Sequence, residues 1–480
     1  MNIGTIIDAA ATGDPARAAL IIDGRTISYR ELAAAVERCA AGLSAGGLAG
    51  RRIAVVDVAS PVSIATALAA ARIGGAAALM NPALTPPELR GLVEDAECAE
   101  VGVAGEQYAD RLLEAGATKV LTATDLVADG RHVAPGPAEG VDDRDALVLF
   151  TSGTTGLPKA IPITNGQLSE RITGVMAPFR ADATPTVGIM CVPFFHVGGA
   201  IGLLATLYAG NTYVVQPRFD AGQWLHLVQE HRVASTFLVP TMLQRILDHP
   251  DFGSTDLTSL VSIAYGAAAA PIALVRRAMA AMPDVAFANV FGQTETLGAY
   301  TTLSPGDHRD PNRLGSVGRP LPGIDVRVVD PDTSTDVETG EVGELWVNTS
   351  AHVGQGWLRT GDLGRRDAEG YIYSSGRLRD TINRGGEKFG PIEVEDALRS
   401  HPAVSDVAVA GVDDDEMGQR VGAAVVARNP VTLGELRSHC RELIAYFKVP
   451  ERLIIVDEIP YNDTGKVNRR QLGMLIADGS

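Results

Sequence analysis

Cysteine is scarce: Cys39, Cys98, Cys191 and Cys440 are scattered along 480 residues, with no C-x-x-C and no paired spacing. Reduced, structural thiols of a cytoplasmic protein are the expected reading. Positive charge is also short, since 41 Lys and Arg against 58 Asp and Glu leave a formal net charge of −17. Nucleic acid and anionic membranes are therefore poor partners, and an anionic ligand must be gripped by local features. Unbroken apolar runs are missing as well. The most apolar stretch, "VSIATALAAARIGGAAALM", is interrupted by Arg72 and by Gly74-Gly75, which predicts a buried helix and no integral membrane segment. The opening residues lack a basic region ahead of an apolar core, so no secretory signal is expected. There is no repeat of fixed period and no low-complexity tail.

What remains is the composition of a globular protein, 46% apolar and 21% charged, in a chain long enough for two or more domains. The first half alternates β-rich runs ("RIAVVDVAS", "AAALMN", "VGVA") with helical ones ("PVSIATALAAARIGG", "PPELRGLVEDA"). That alternation predicts an α/β architecture with largely parallel sheets. Beyond about residue 320 the runs shorten and alternate ("GIDVRVVDPDT", "GEVGELWVNTS", "GYIYSSGR"), which predicts antiparallel strands. From Asp380 a compact α+β pattern follows, namely a helix, two strands, a helix and a last strand. A boundary is expected near 376–380, giving domains 1–377 and 378–480.

Several short segments carry chemistry. "TSGTTGLPK" (151–159) is a hydroxyl- and glycine-rich loop ending in a lysine, suited to wrapping phosphate oxygens. It departs from the P-loop because Pro158 stands where the second glycine belongs. In isolation it reads equally well as a polar turn between a strand and a helix. "NVFGQTETLG" presents Thr294 and Glu295 after a strand, where a carboxylate can hold magnesium or be a surface acid. Asp362 and Arg377 suit a ribose, or form a surface ion pair. Lys466 follows a Thr464-Gly465 turn near the end of the chain, with Arg469 and Arg470 close behind, and alone reads as a solvated charge.

Together and in order, these segments resemble the adenylate-forming superfamily of acyl-CoA synthetases, peptide-synthetase adenylation domains and luciferases, within it the AMP-forming carboxylic acid:CoA ligases. The likeness runs from "ISYRELAAAVERCAAGL" to "TGKVNRR". It implies a large N-terminal domain of two α/β subdomains and a β-barrel, capped by a small mobile α+β domain. It also implies ATP, Mg2+ and CoA as ligands. Thr151, Ser152, Gly153, Thr154, Thr155, Gly156 and Lys159 would hold the β- and γ-phosphates. His196 in "PFFHVGG" would line the acyl pocket and pantetheine exit. Gly266, Ala267 and Ala268 would touch adenine and acyl group. In "NVFGQTE", which supplies Asn289, Phe291 and Gly292, Phe291 would lie on adenine, Thr294 on phosphate and Glu295 on magnesium. Asp362 and Arg377 would bind the ribose, Arg379 would be the hinge, Gly386 would line the thiol tunnel, and Lys466 would be the catalytic lysine.

The chain departs from the family pattern in places. Ala160 replaces a glycine, Asn165 replaces a histidine, and the stretch before "GWLRTGD" is short. The alanines of "AYGAAAAP" imply a roomy apolar pocket. With no Arg or Lys in "PFFHVGGAIG", a hydrophobic acid is expected rather than a dicarboxylate. The expected reaction is ATP-dependent acyl-adenylate formation followed by transfer to CoA. The alternatives are transfer to an acyl carrier protein or partner enzyme, and a non-catalytic nucleotide-binding protein. A homodimer is left open.

Overall fold

Small and apolar residues fill the stretch from Ser63 to Ala71, and all of it is buried. Pro61 starts this helix (Pro61–Arg72), and a capping box between Ser60 and Ser63 closes its first turn. The alanines let two neighbouring layers approach closely. The run continues into a fully buried strand, Ala76–Met80, so the expectation of a buried helix holds for its first part. The computed structural model describes residues 1–128, 135–152, 158–176, 185–352, 354, 356–461 and 467–479.

Two sheets flank this helical layer. One has six strands in the spatial order Lys119–Leu121, Val101–Ala104, Arg52–Val56, Ala76–Met80, Asp145–Ser152, Pro158–Thr164. All its pairings are parallel except the last. The other has nine strands, parallel through its middle and antiparallel at both ends. A single apolar cluster joins side chains of both sheets, such as Val55 and Leu149 with Leu20 and Met190, through helices Tyr29–Ala45, Pro61–Arg72 and Val197–Tyr208. Each fully buried Leu or Ile there contributes about 1.5–3 kcal/mol.

The later strands are antiparallel, as the alternation predicts: Asp325–Val329, Val342–Asn348, Leu358–Arg366 and Ile372–Arg377 form a four-stranded sheet. Where the family resemblance implies a barrel, the hydrogen bonding among the described residues is that of an open sheet with Asp325–Val329 and Ile372–Arg377 at its edges. After Asp380 the chain builds a separate five-stranded sheet. Helices Pro391–Arg399 and Leu433–Leu443 cover one face and Arg469–Gly479 the other. Both of its apolar clusters draw only on residues from Ile382 onward.

Two elements here go beyond the sequence reading. One is a hairpin of Ile382–Arg384 with Glu387–Phe389, turned by Gly385 (φ +59°) and Gly386 (φ +94°), the two left-handed positions a tight hairpin turn requires. The other is the last helix. At its Gly473 any β-carbon would stand 3.0 Å from the Gly411 carbonyl oxygen, so the glycine lets the helix lie close against the sheet.

No helix among the described residues is long and apolar enough to cross a membrane. Burial pushes the Cys39 and Cys440 thiols up to about 11 and those of Cys98 and Cys191 up to about 12. At pH 8 about one part in a thousand or less is thiolate, the reactive form. Iodoacetamide should therefore label the native protein slowly at all four positions and rapidly after denaturation. A fast native phase, read by mass spectrometry, would contradict the structural role of these thiols.

Candidate active site

The strands on either side of the nucleotide-type loop pair with each other. Strand Asp145–Ser152 pairs antiparallel with Pro158–Thr164, Thr151 opposite Lys159 and Ser152 opposite Pro158. The sequence reading of a turn between strand and helix is thus corrected. Pro158 begins an edge strand, a position where a missing N–H costs no ladder bond. Thr151 and Lys159 both line the cleft below. Gly153, Thr154, Thr155 and Gly156 lie outside the described residues, as does Lys466. Ser152 is described only by its backbone.

Opposite this hairpin, strand Ser262–Gly266 ends in a conformation that few side chains accept. A β-carbon at Gly266 would stand 2.1 Å from the Val290 carbonyl oxygen, so only glycine fits. Ala267 follows at φ +67°, a left-handed conformation costing an L-residue about 1–2 kcal/mol. Strain of this kind gathers at binding sites, where it aims backbone groups. Ala267 and Ala268 line the cleft, whereas Gly266 is buried behind them. The neighbouring strand Ala286–Gln293 brings Asn289, Phe291 and Gly292 to the same wall. It then tightens into a 3₁₀ turn, Thr294–Thr296, that presents Thr294 and Glu295. Phe291 meets Tyr300 edge-on, ring centroids 5.3 Å apart.

The four-stranded sheet supplies an ion pair. Asp362 and Arg377 face each other across adjacent strands, and Arg377 Nε donates to Asp362 Oδ1 at 2.7 Å. Thr360 steadies both, its Oγ1 accepting from the Asp362 N–H at 3.0 Å and its carbonyl from Arg377 Nη1 at 3.3 Å. Burial and then the Asp362 charge hold the Tyr300 phenol well above its ordinary pKa. His196 caps helix Val197–Tyr208 at the far wall, edge-on to Phe195 at 4.7 Å. Beyond it the wall is apolar, with Val197, Ile201, Ala205, Phe237 and Val239.

Apart from Gly266, Tyr300 and Phe195, which stand behind the wall, these groups border one continuous cleft of about 2740 Å³, far larger than a site for one drug-sized ligand. Its lid is the C-terminal unit, which contributes Glu395, Asp406, Tyr461, Val467 and Arg469. Tyr461 and Val467 bridge to each other, so the segment carrying Lys466 starts and ends at the cleft. Gly386 does not border it. The Gly385-Gly386 turn is exposed, because a different face of the C-terminal sheet is turned inward. Arg379 is half-exposed beside Asp380, 3.8 Å away.

Sequence reasoning missed three contributors. Arg469, read in sequence only as a neighbour of Lys466, is a half-buried ion-pair centre facing Asp380 at 3.6 Å and also Glu395. Tyr300 backs Phe291. Arg171, on helix Asn165–Met176, reaches the cleft from a segment with no motif. Its only signal is spacing, three residues after the buried Leu168 and next to the buried Ile172, which puts it on the inward helical face.

The AMP-binding enzyme family model matches residues 7–358, and the AMP-binding enzyme C-terminal domain matches 393–466. The indoleacetate–CoA ligase of Aromatoleum aromaticum is 32% identical, covering 99% of this chain and 98% of that one. A fatty acid–acyl-carrier-protein ligase of Streptomyces coeruleorubidus is 29% identical, covering 96% and 94%. The o-succinylbenzoate CoA synthetase of Bacillus subtilis, solved with ATP and magnesium, superposes with a TM-score of 0.86 at 28% identity, covering 98% and 99%. With both family models matched in order and one cleft gathering Thr151 and Lys159, the acidic turn and the aspartate–arginine pair, the chain belongs to the AMP-binding enzymes of the adenylate-forming superfamily and is an AMP-forming acid–thiol ligase.

Proposed function

We propose that the chain joins a largely apolar carboxylic acid to ATP, releasing pyrophosphate, and then passes the acyl group to CoA, releasing AMP. The observation that carries this reading is the continuity of the cleft. Phosphate-type groups (Thr151, Lys159, Thr294), a ribose-type pair (Asp362, Arg377) and an apolar wall (Val197, Ile201, Phe237) share one space. A carboxylate is a poor acyl donor because oxide leaves badly. Attack of its oxygen on the α-phosphate expels pyrophosphate and makes AMP the later leaving group. Negative charge gathers on the phosphates in that step, so positioned donors and cations matter more than an acid or base.

Lys466 is assigned to the substrate carboxylate and α-phosphate, and Thr151 and Lys159 to the departing pyrophosphate. Glu295 fits a magnesium ion held mainly by phosphate oxygens and water. It faces the cleft, and no cluster of three His, Cys, Asp or Glu gathers among the described residues. Bound there, the ion would neutralise phosphate charge.

The second step calls for a thiol at the same carbonyl. We assign residues 1–377 to the adenylating domain and 378–480 to a mobile domain that turns at Arg379, exchanging the Lys466 face for the Gly386 face. The inward position of Tyr461 and Val467, with Gly386 outside, fits the adenylating arrangement. The likeness to a carrier-protein ligase supports a second reading, in which a carrier thiol takes the acyl group. The cytoplasm suits the reduced, buried thiols, and a homodimer remains part of the proposal.

The test is to incubate the protein with ATP, Mg2+ and aliphatic, aromatic and polycyclic acids, and to follow pyrophosphate and AMP with and without CoA. Acid-dependent pyrophosphate with CoA-dependent AMP and thioester is expected. Pyrophosphate without any CoA-dependent product would move the assignment to a carrier acceptor. Absence of acid-dependent pyrophosphate from every acid would refute the reading.

A further inference from the structure

Beside the apolar wall of the cleft stands a cation, Arg171, with no ion-pair partner among the described residues. Arg171 lines the cleft, and its Nη2 donates to the Ala299 carbonyl at 2.8 Å. Its Nε is sealed from solvent without an acceptor among the described residues. Burial lowers its guanidinium pKa, and no neighbouring charge contributes to that shift. A sealed, unanswered N–H typically costs a protein ten- to a hundredfold in folding equilibrium, and a guanidinium more. The residue as a whole is half-buried and borders the cleft, where a ligand oxygen can answer the rest of the guanidinium.

The arginine is also held in place. Its helix is fastened to the segment before "GWLRTGD", where Gln167 Nε2 donates to the His352 carbonyl at 2.7 Å and Glu170 accepts from Ser350. On its open side stands Gly298 (φ +102°), where any β-carbon would come within 3.4 Å of Nη2. Glycine keeps that space free. The same helix packs against Val197–Tyr208, the apolar wall, which sets Arg171 between that wall and the Gly298–Ala299 strand.

We propose that Arg171 determines substrate choice: the acid this enzyme activates is apolar but carries a second oxygen acceptor, a carbonyl or a second carboxylate, which the Arg171 guanidinium receives. This rests on the acid-activating function proposed above and sharpens it. It also amends the expectation of a purely hydrophobic acid, drawn from a segment that holds no Arg or Lys; the cation enters from a helix elsewhere in the chain. A guanidinium held by a rigid helix discriminates because an acid without the acceptor leaves its N–H groups buried and unanswered.

The experiment compares kcat/KM for pyrophosphate release within matched sets: octanoate, 7-oxooctanoate and suberate, and 4-phenylbutanoate with 4-oxo-4-phenylbutanoate. Wild type should favour an acceptor-bearing member over its hydrocarbon partner by ~10–10²-fold. Preference for the oxo acids assigns a neutral acceptor, and preference for suberate an anionic one. In Arg171→Met the ratio should fall towards one, and Arg171→Lys should restore part of it. A ratio taken within one preparation does not depend on the amount of folded enzyme, so partial misfolding does not mimic the result. If wild type turns over all members within twofold of each other, or if Arg171→Met keeps the wild-type ratio, the inference is overturned while acid activation stands. If no acid releases pyrophosphate, it is the acid-activating function that fails.

Discussion

Lys466→Ala is expected to slow acyl-adenylate formation by ~10²–10³-fold, the usual loss when one preorganised charge is removed from a transition state. Thiolation of a supplied acyl adenylate should persist near the wild-type rate. The asymmetry follows from the lid. Tyr461 and Val467 line the cleft, and in the proposed scheme Lys466, next to Val467, serves the adenylating step. The second step, in the proposed rotation, turns that lysine away. Single-turnover measurements of pyrophosphate release and of thioester formation from synthetic adenylate separate the two. Equal losses in both steps would sink the two-face scheme.

The Asp362–Arg377 pair gives the second large effect, and its two halves should not behave alike. Asp362 is 5% exposed and Arg377 31% exposed. Removing Asp362 leaves an arginine that water can partly solvate. Removing Arg377 leaves a carboxylate in a sealed position beside the buried Tyr300. Breaking such a pair costs about 3–5 kcal/mol when the remaining charge stays buried, so Arg377→Ala should lower the unfolding temperature more than Asp362→Ala. The double variant should be less damaged than the sum of the two. Both single variants should lower kcat/KM for ATP by roughly 10–10²-fold, as expected when hydrogen bonds to a charged group are lost. Differential scanning calorimetry and ATP titrations read both quantities. Asp362→Ala proving the more destabilising would contradict the burial argument.

Much of this was legible in the residues because local and global preferences agree. Strands such as Arg52–Val56 and helices such as Pro61–Arg72 announce themselves by apolar content and caps, and the antiparallel texture after residue 320 by alternation. The ordered motifs brought Thr151, Lys159, His196, Phe291, Glu295, Asp362 and Arg377 to one list, and the fold brings them to one cleft. What stayed hidden depends on contacts between distant segments. The loop after Thr151 reads the same before a helix or a strand, and only pairing across it makes a hairpin. Gly473 serves close packing against Gly411, far off in sequence. Arg171 belongs to no motif, and its role emerges when helix Asn165–Met176 meets Gly298 and Ala299. Gly386 lies outside the cleft, and its place at the thiol side belongs to the second arrangement proposed above.

The C-terminal sheet is covered by helices on both faces, so its apolar clusters are complete within residues 382–476. A body closed in this way carries its own cohesion and lends almost none to its orientation. Its border with the larger unit consists of the packing of Pro391–Arg399 on Ile372–Arg377 and rim contacts such as Lys388 with Asp332, 3.9 Å apart and exposed. Exposed pairs of this kind are weak. In the two-step scheme proposed above, such a unit would take its posture from whichever substrate occupies the cleft, and the order of the two steps would need no built-in latch.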